Sequence, residues 1–422
     1  MLAGTESDES DSSQYPCAGY KQRAPCWSDL KHAGRSAVEG DNMTSANTDL
    51  ALVMTGGGAR AAYQVGFLRC IARRYPDLNI PIITGVSAGA LNAVFLANHT
   101  GSFRDKVEDL AAIWAALTPE HIFRVDPYSI TRSVLGWGFR VLMGKASRAI
   151  TIRSLLDSSP LRALLERVLR PVEGRLLGIE HNLSSGNLKA VAITASNYYT
   201  GQSVTWVQGK EIVEWERAHR VSVLCPIKPN HVLASASLPF FFQAERIDAH
   251  WYGDGGMLLT APLSPAIHLG ASRILAISTH VKGNASKPSP YDSYPYPPPA
   301  QIAGALYNTI FLDMYNADAL RLERINELLV SLPANERRGL RPVHLMLLRP
   351  SRNLGELADP FEPKLPPAFR FMTRGLGTQE TRSNDLLSLL MFQPDYLKVL
   401  IDAGCADAEA RQDEIAALLN GF

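Results

Sequence analysis

The sequence lacks the features of a disulfide-rich, zinc-binding or membrane-spanning protein. No Cys-x-x-Cys pair occurs, and the five cysteines are odd in number and scattered through the chain: Cys17, Cys26, Cys70, Cys225 and Cys405. This pattern argues against a disulfide framework or a zinc site and fits a reducing compartment. No apolar run reaches the roughly 18 residues that a membrane-spanning helix requires.

The chain also lacks an excess of charge and a standard secretory signal. Lysine and arginine total 42, aspartate and glutamate total 41, and the formal net charge is +1. Without bulk positive charge there is no electrostatic reason to expect a nucleic-acid partner. The N-terminus has no basic segment followed by an apolar one. We therefore expect a cytoplasmic protein, with peripheral membrane contact as a further prediction.

The first 48 residues differ in composition from the rest of the chain. Residues 1–48 are rich in serine, aspartate and glutamate and contain few apolar residues. Such a segment cannot bury a core, so we predict a disordered tail.

The most informative stretch is residues 52–96, where two apolar runs each break into glycines. The first run breaks at residues 56–58, and the second breaks at Gly85-x-Ser87-x-Gly89. Helical spacing of apolar residues follows each break. The pattern predicts strand, glycine loop, helix, strand, tight turn and helix.

Each of these two breaks has a chemical interpretation. Gly85-x-Ser87-x-Gly89 fits a nucleophile elbow, in which a serine occupies a strand-to-helix turn and the flanking glycines relieve crowding. The N–H groups of a glycine loop can converge on one point, which suits an oxyanion hole. Either motif alone is common, but here both stand at strand-to-helix junctions of one compact unit.

Strand and helix patterns alternate along the rest of the chain. Residues 188–196, 203–207, 273–278 and 343–348 are typical of buried strands. The alternation predicts an α/β fold with a largely parallel sheet that is covered by helices on both faces.

Four segments, in this order, resemble the patatin-like phospholipase family. They are Gly56-Gly57-Gly58-Ala59-Arg60, Gly85 to Gly89, Ala234-Ser235-Ala236-Ser237-Leu238-Pro239-Phe240, and Asp254-Gly255-Gly256. By itself, an aspartate between glycines would be interpreted as a turn residue. The resemblance covers roughly residues 50–275 and departs from the family pattern at Ala61, where the family loop has another glycine.

The resemblance implies a three-layer α/β/α patatin-like domain with additional C-terminal helices. We predict this catalytic domain over residues 49–300 and a helical C-terminal region over residues 301–422 that packs on it or continues it. The implied activity is serine hydrolysis of a lipid ester, with phospholipid as the expected substrate and a phospholipase A-type reaction through an acyl-serine. The reaction implies no metal and no cofactor.

The resemblance also implies roles for individual residues. Ser87 would be the nucleophile, and Asp254 would accept its proton as the second member of a Ser–Asp dyad. The predicted oxyanion hole comprises Gly56, Gly57 and Gly58, with Arg60 as a further candidate, and the elbow and loop glycines are Gly85, Gly89, Gly255 and Gly256.

Residues 129–152 form a basic amphipathic stretch. They combine apolar and aromatic residues, Trp137 and Phe139 among them, with the basic residues Arg132, Arg140, Lys145 and Arg148. Such a segment can lie in a membrane interface, and a buried helix with solvated basic ends is the alternative. We predict that this segment caps the site and contacts lipid.

Two other functions remain open. A Ser–His–Asp α/β-hydrolase could draw its histidine from His268, His280 or His344, which all follow Asp254, but it would have more strands before its elbow. A non-catalytic lipid- or nucleotide-binding module would use the glycine loop and Ala61 as a dinucleotide fingerprint. That module requires an acidic residue at the end of the second strand, and this chain has none there.

Overall fold

The described part of the chain comprises five stretches. In the computed structural model they are residues 49–124, 154–281, 296–311, 314–375 and 385–420. The predicted disordered tail, residues 1–48, and the predicted cap, residues 129–152, lie outside the described residues. Within the described stretches, no helix is both long and apolar enough to cross a membrane.

Ten strands of these stretches form one sheet. In chain order they are β1 Leu50–Met54, β2 Ile82–Val86, β3 Ala190–Asn197, β4 Ser203–Gly209, β5 Glu216–Arg217, β6 Arg220–Leu224, β7 Glu245–Ile247, β8 His250–Asp254, β9 Arg273–Ile277 and β10 His344–Leu348. Neighbouring strands follow the order β10-β9-β1-β2-β3-β4-β6-β5, and β10 through β3 are parallel. The prediction of a largely parallel sheet is confirmed. β4 and the β7–β8 hairpin add antiparallel pairs to β3.

Helices connect most of the strands. In the described stretches they are α1 Ala62–Arg74, α2 Ala88–Asn98, α3 Phe103–Ala115, α4 Pro119–Ile122, α5 Ser159–Leu169, α6 Leu177–Ser185, α7 Pro229–Ser235, α8 Ser264–His268, α9 Pro299–Phe311, α10 Met314–Ser331, α11 Pro367–Gly375, α12 Asp385–Leu390, α13 Pro394–Ala410 and α14 Gln412–Asn420. The α1 helix follows the first glycine break after a 3-10 turn at Gly58–Ala61, and α2 begins within the second break, at Ala88. Both helices lie where the pattern of residues 52–96 predicts them.

The sheet is buried on both faces. Successive residues of a strand point to opposite sides, and in β1 Leu50 and Leu52 belong to one apolar cluster while Ala51 and Val53 belong to another. The first cluster includes side chains of α1, α2, α3 and α13, and the second includes side chains of α8 and α10. Two helical layers on one sheet make the predicted three-layer α/β/α arrangement.

The region after residue 300 supplies a strand as well as helices. β10 pairs with β9 at one edge of the sheet, and α13 packs directly on α1. A Cβ built at Gly404 of α13 would overlap the Tyr63 carbonyl oxygen, and one built at Gly66 of α1 would overlap the Ile401 carbonyl oxygen. The two helix backbones therefore touch at these glycines. The predicted domain boundary at residue 300 stays a prediction.

This crossing predicts that Gly404→Ala destabilises the fold. In an exposed helix, alanine is more stabilising than glycine by about 1 kcal/mol. Here the overlap with the Tyr63 carbonyl should outweigh that gain and lower the free energy of unfolding by about 1–3 kcal/mol. Urea denaturation measures the change. Ala406→Leu, an exposed change on the same helix, should alter stability by less than about 0.5 kcal/mol. A Gly404→Ala chain as stable as wild type would contradict the close crossing.

Candidate active site

Ser87 occupies the turn between β2 and α2. Its backbone has φ 56° and ψ −130°, which is the left-handed side of the map and is costly for any residue but glycine. Side chains are excluded on either side, because a Cβ at Gly85 would overlap the Gly89 carbonyl oxygen and one at Gly89 would overlap the Thr55 carbonyl oxygen. The turn therefore has the geometry of a nucleophile elbow, and the N-terminal end of the α2 dipole lies beside the serine.

Strand pairing brings Asp254 to this serine. Ala195 of β3 pairs with Val204 of β4 on one edge and with Asp254 of β8 on the other. That second edge is the one where Thr194 pairs with Val86, the last residue of β2. β8 therefore runs towards the end of β2 from the opposite direction. The Ser87 hydroxyl donates a hydrogen bond of 2.5 Å to Oδ2 of Asp254.

The Asp254 carboxylate is completely buried. Its other oxygen, Oδ1, accepts a hydrogen bond of 2.9 Å from the Gly256 N–H. Burial raises the pKa of Asp254 to about 7, and the hydrogen bonds from Ser87 and Gly256 partly oppose this rise because they favour the charged form. A carboxyl group with a pKa near neutrality is suited to proton transfer at physiological pH.

Ser235 holds the elbow from the other side. The backbone N–H of Ser87 donates to Oγ of Ser235 at 2.9 Å, and that hydroxyl donates to the Thr194 carbonyl at 2.6 Å. Ser235 belongs to the segment that resembles the family, but its residue type and spacing do not indicate this contact. The hydrogen bond fixes the strained peptide of Ser87.

The glycine loop lies against Ser87. A Cβ built at Gly56 would stand 2.9 Å from the Ser87 Cβ. Gly57 has φ 140° and Gly58 has φ 54°, which are both positive values that side chains disfavour. Within the described residues, the N–H groups of Gly57 and Gly58 donate no hydrogen bond to the protein. They are available to bind an oxygen atom beside the serine.

The Arg60 side chain is bound by residues after position 300. Its buried guanidinium donates to Ser388 at 2.7 Å and to Asn308 at 3.2 Å, and it forms an ion pair of 2.7 Å with Asp385. These partners lie on α12 and α9. The side chain therefore ties two C-terminal helices to the loop, so its contacts favour a structural role over direct contact with an oxyanion.

A cavity opens beside Ser87, Gly57 and Gly58. Its wall is almost entirely apolar and includes Leu91, Trp114, Leu117, Ile122, Leu161, Leu165, Val232, Phe242 and Phe392. Its polar side chains besides Ser87 are Tyr307 and Asn308, and no charged side chain lines it within the described residues. The cavity is suited to a long apolar group whose reactive end lies at the serine.

Two of the three candidate histidines, His268 and His344, have other environments. In the part of the chain that the structure describes, neither Ser87 nor Asp254 has a histidine partner. His268 stacks on Trp215 with ring centroids 4.8 Å apart, and His344 begins β10, at the opposite end of the parallel strands from Ser87. The described geometry gives a direct serine–carboxylate contact.

The fold also brings together groups that are far apart in the sequence. The sulfur atoms of Cys70 on α1 and Cys405 on α13 lie within 4.8 Å of each other and of a carboxylate oxygen of Glu409. Among the described residues, this is the one group with three side chains that could ligate a metal. None of the three lines the cavity at Ser87, so this cluster bears no relation to the serine chemistry.

The burial of Asp254 predicts how Asp254→Asn changes stability. Because the pKa of about 7 lies above the ordinary aspartate value, the native state binds the proton more tightly than the unfolded state. Wild type therefore loses stability as pH rises from about 4 to 7. The stability of Asp254→Asn relative to wild type should increase by about 2–3 kcal/mol between pH 5 and pH 8.

Urea denaturation at the two pH values measures this difference. Asp413→Asn, the same substitution at an exposed position, serves as the matched control. A pH-independent difference for Asp254→Asn would mean that the carboxyl group has an ordinary pKa.

Comparison with solved structures finds relatives at low sequence identity. The chain is similar in structure to human GIVD cytosolic phospholipase A2, at 12% identity and a TM-score of 0.45 over 90% of this chain and 63% of that one. It is similar to VipD from Legionella pneumophila, at 14% identity and a TM-score of 0.29 over 84% and 67%. It is similar to the ExoU–SpcU complex from Pseudomonas aeruginosa, at 14% identity and a TM-score of 0.23 over 89% and 77%.

The family of this chain is shown by its sequence rather than by a single relative. The chain spans less than two thirds of the length of the human phospholipase chain, and no curated protein sequence matches it. A sequence model of the patatin-like phospholipases matches residues 52–267, just over half of the 422 residues. That range contains the glycine loop, Ser87 and Asp254. The chain belongs to the patatin-like phospholipase family.

Proposed function

We propose that this member of a lipid hydrolase family is a serine acyl hydrolase with phospholipase A-type activity, which uses Ser87 and Asp254 as a catalytic dyad. One observation carries the proposal. A serine on a strained elbow donates a 2.5 Å hydrogen bond to a buried carboxylate, at the edge of an apolar cavity that unpaired loop N–H groups also line. Nucleophile, base and oxyanion donors thus meet at one point, as acyl transfer requires.

The first half of the reaction forms an acyl-serine. The Ser87 hydroxyl oxygen attacks the ester carbonyl carbon while its proton passes to Asp254. Negative charge develops on the carbonyl oxygen, and the N–H groups of Gly57 and Gly58 donate hydrogen bonds to it. The tetrahedral intermediate collapses as the ester C–O bond breaks, and the leaving alcohol takes the proton from Asp254. The second half repeats these steps with water and releases the fatty acid.

The wall of the cavity supports a lipid as the substrate. An acyl chain gains by leaving water for an apolar surface, and the described wall offers leucine, valine and aromatic side chains without a charge. A charged headgroup would be unfavourable there and would have to remain towards solvent. Phospholipid is therefore the proposed substrate, and neutral glycerides are the comparison to be tested. Contact of residues 129–152 with the membrane stays a prediction.

The two other functions have less support. A Ser–His–Asp triad would place a histidine between the nucleophile and the acid, where Ser87 already contacts Asp254 directly. A dinucleotide site would need an acidic residue at the end of β2, where the chain has Ser87. Neither alternative gains an observation in its favour.

Release of fatty acid from vesicles tests the proposal. Wild type should release fatty acid from mixed phospholipid vesicles, and both Ser87→Ala and Asp254→Asn should lower the rate by about 10³-fold or more, because each removes a member of a dyad that acts as a unit. The exposed changes Ser331→Ala and Asp413→Asn are matched controls and should retain full activity.

The same assay on glyceride emulsions separates the substrate classes. Faster release from the glyceride than from the phospholipid would contradict phospholipase activity but retain the dyad. Activity that survives Ser87→Ala would rule out Ser87 as the nucleophile.

The pKa of Asp254 predicts the pH dependence of the reaction. Only the charged carboxylate can accept the serine proton, so kcat/KM for a p-nitrophenyl ester should fall tenfold per pH unit well below about pH 7 and reach a plateau above it. Ester hydrolysis by Ser87→Ala at each pH gives the background. A rate that is constant down to pH 5 would show that the carboxylate is not the base or has an ordinary pKa.

A further inference from the structure

The oxyanion donors of the proposed function require a loop that holds its N–H groups in a fixed direction. Three consecutive glycines have no side chains to do this, and glycine is the most flexible residue of the chain. Preorganised donors stabilise charge well because they need not reorganise during the reaction. Some other part of the molecule must therefore orient this loop.

The Gly56 carbonyl is the part of the loop that hydrogen bonds fix in place. It accepts a hydrogen bond of 2.7 Å from Oγ1 of Thr279 and one of 3.1 Å from Oγ1 of Thr55. The Thr55 hydroxyl in turn accepts the N–H of Thr279 at 3.2 Å. Two buried threonines thus bind one carbonyl oxygen, and the stronger of the two contacts comes from Thr279.

A fixed carbonyl fixes the next N–H group. The peptide between Gly56 and Gly57 is planar and trans, so the Gly57 N–H points opposite to the Gly56 carbonyl. Thr279 holds the carbonyl on its own side, and the N–H is directed to the other side. Gly57 lines the same cavity as Ser87, and Gly57 N–H has no protein acceptor among the described residues.

Thr279 is itself held by the sheet. β9 pairs with β1 so that Ile277 lies beside Met54, and the next residues of the two strands run on to Thr279 and Gly56. Gln64 strengthens this junction, because its side-chain amide donates to the Thr55 carbonyl at 2.8 Å and to the Ile277 carbonyl at 3.2 Å.

Gly57 is small enough to let the hydroxyl reach its acceptor. A Cβ built at Gly57 would stand 2.5 Å from Oγ1 of Thr279. A side chain there would displace the hydroxyl from the Gly56 carbonyl. The hydrogen bond from Thr279 therefore requires a glycine at position 57.

We propose that Thr279 is a positioning residue of the oxyanion hole: its hydroxyl holds the Gly56 carbonyl and thereby aims the Gly57 N–H at the oxygen of the ester attacked by Ser87. This inference rests on the proposed function. It assigns a role to a residue outside the glycine loop, the elbow and the Asp-Gly-Gly segment.

Substitutions at Thr279 test the role. Thr279→Val removes the hydroxyl and retains the shape, Thr279→Ala removes it without adding a methyl group beside the loop, and Thr279→Ser retains it. Thr205→Val, which removes a buried hydroxyl that bonds to Thr194 at 3.0 Å, is the matched control. The probes are p-nitrophenyl octanoate as the substrate and an alkyl trifluoromethyl ketone, whose adduct with the serine carries an oxyanion.

The kinetic constants should separate positioning from general damage. Thr279→Val and Thr279→Ala should lower kcat by about 10- to 100-fold, somewhat less than the loss of a donor itself, which costs about 10²–10³. KM should stay within about twofold, and the ketone should bind more weakly by a factor similar to the loss in kcat. Thr279→Ser and Thr205→Val should resemble wild type.

Other results would overturn the inference, and they are distinct from failure of the proposed function. Unchanged kcat in Thr279→Ala would overturn it, and so would equal losses in Thr279→Ser and Thr279→Ala. A rise in KM with an unchanged kcat would also overturn the inference. A wild-type chain that neither hydrolyses the ester nor reacts with an alkyl fluorophosphonate would instead overturn the proposed function, and the inference with it.

Discussion

The site depends on one hydrogen bond, between Ser87 and Asp254, at the point where two strands meet end to end. β2 enters the elbow from one side, β8 arrives from the other, and both pair with the same edge of β3. In the proposed reaction a carboxylate accepts the serine proton, and because it is a weak base the contact must be short and shielded from water. The shared pairing with β3 meets both requirements, since it holds the carboxylate inside the fold at 2.5 Å from the hydroxyl.

This arrangement opposes stability in several places. Asp254 is buried where its charged form is disfavoured, and Ser87, which is not a glycine, has a positive φ. Such strain persists only where the surroundings hold it. Here the surroundings are two apolar layers on the sheet, the Ser235 hydroxyl that accepts the Ser87 N–H, and the Thr279 hydroxyl that donates to the loop. The helices after residue 300 contribute as well, because Arg60 joins two of them to the loop.

Short-range patterns were sufficient to predict the turn at Ser87 and the glycine loop beside it. The glycine loop, Ser87 and the two helices behind them lie within 43 consecutive residues, from 56 to 98, and each strand end is visible as an apolar run that breaks into glycine. Asp254 was different. Its own segment predicts only a turn, because the serine that it contacts lies 167 residues away. The sequence indicates Asp254 only through the order of four segments that resembles a family.

The amino-acid order was enough to predict the alternation of strands and helices, the mostly parallel sheet and the turn that exposes Ser87, because these follow from spacing among near neighbours. It carried no signal for Thr279, for the contact of Ser235 with the elbow or for the partners of Arg60. These contacts join residues 223, 148 and 328 positions apart. They exist only after strand order, register and helix packing are established by the whole chain, and a serine, threonine or arginine outside that context has many equally good partners.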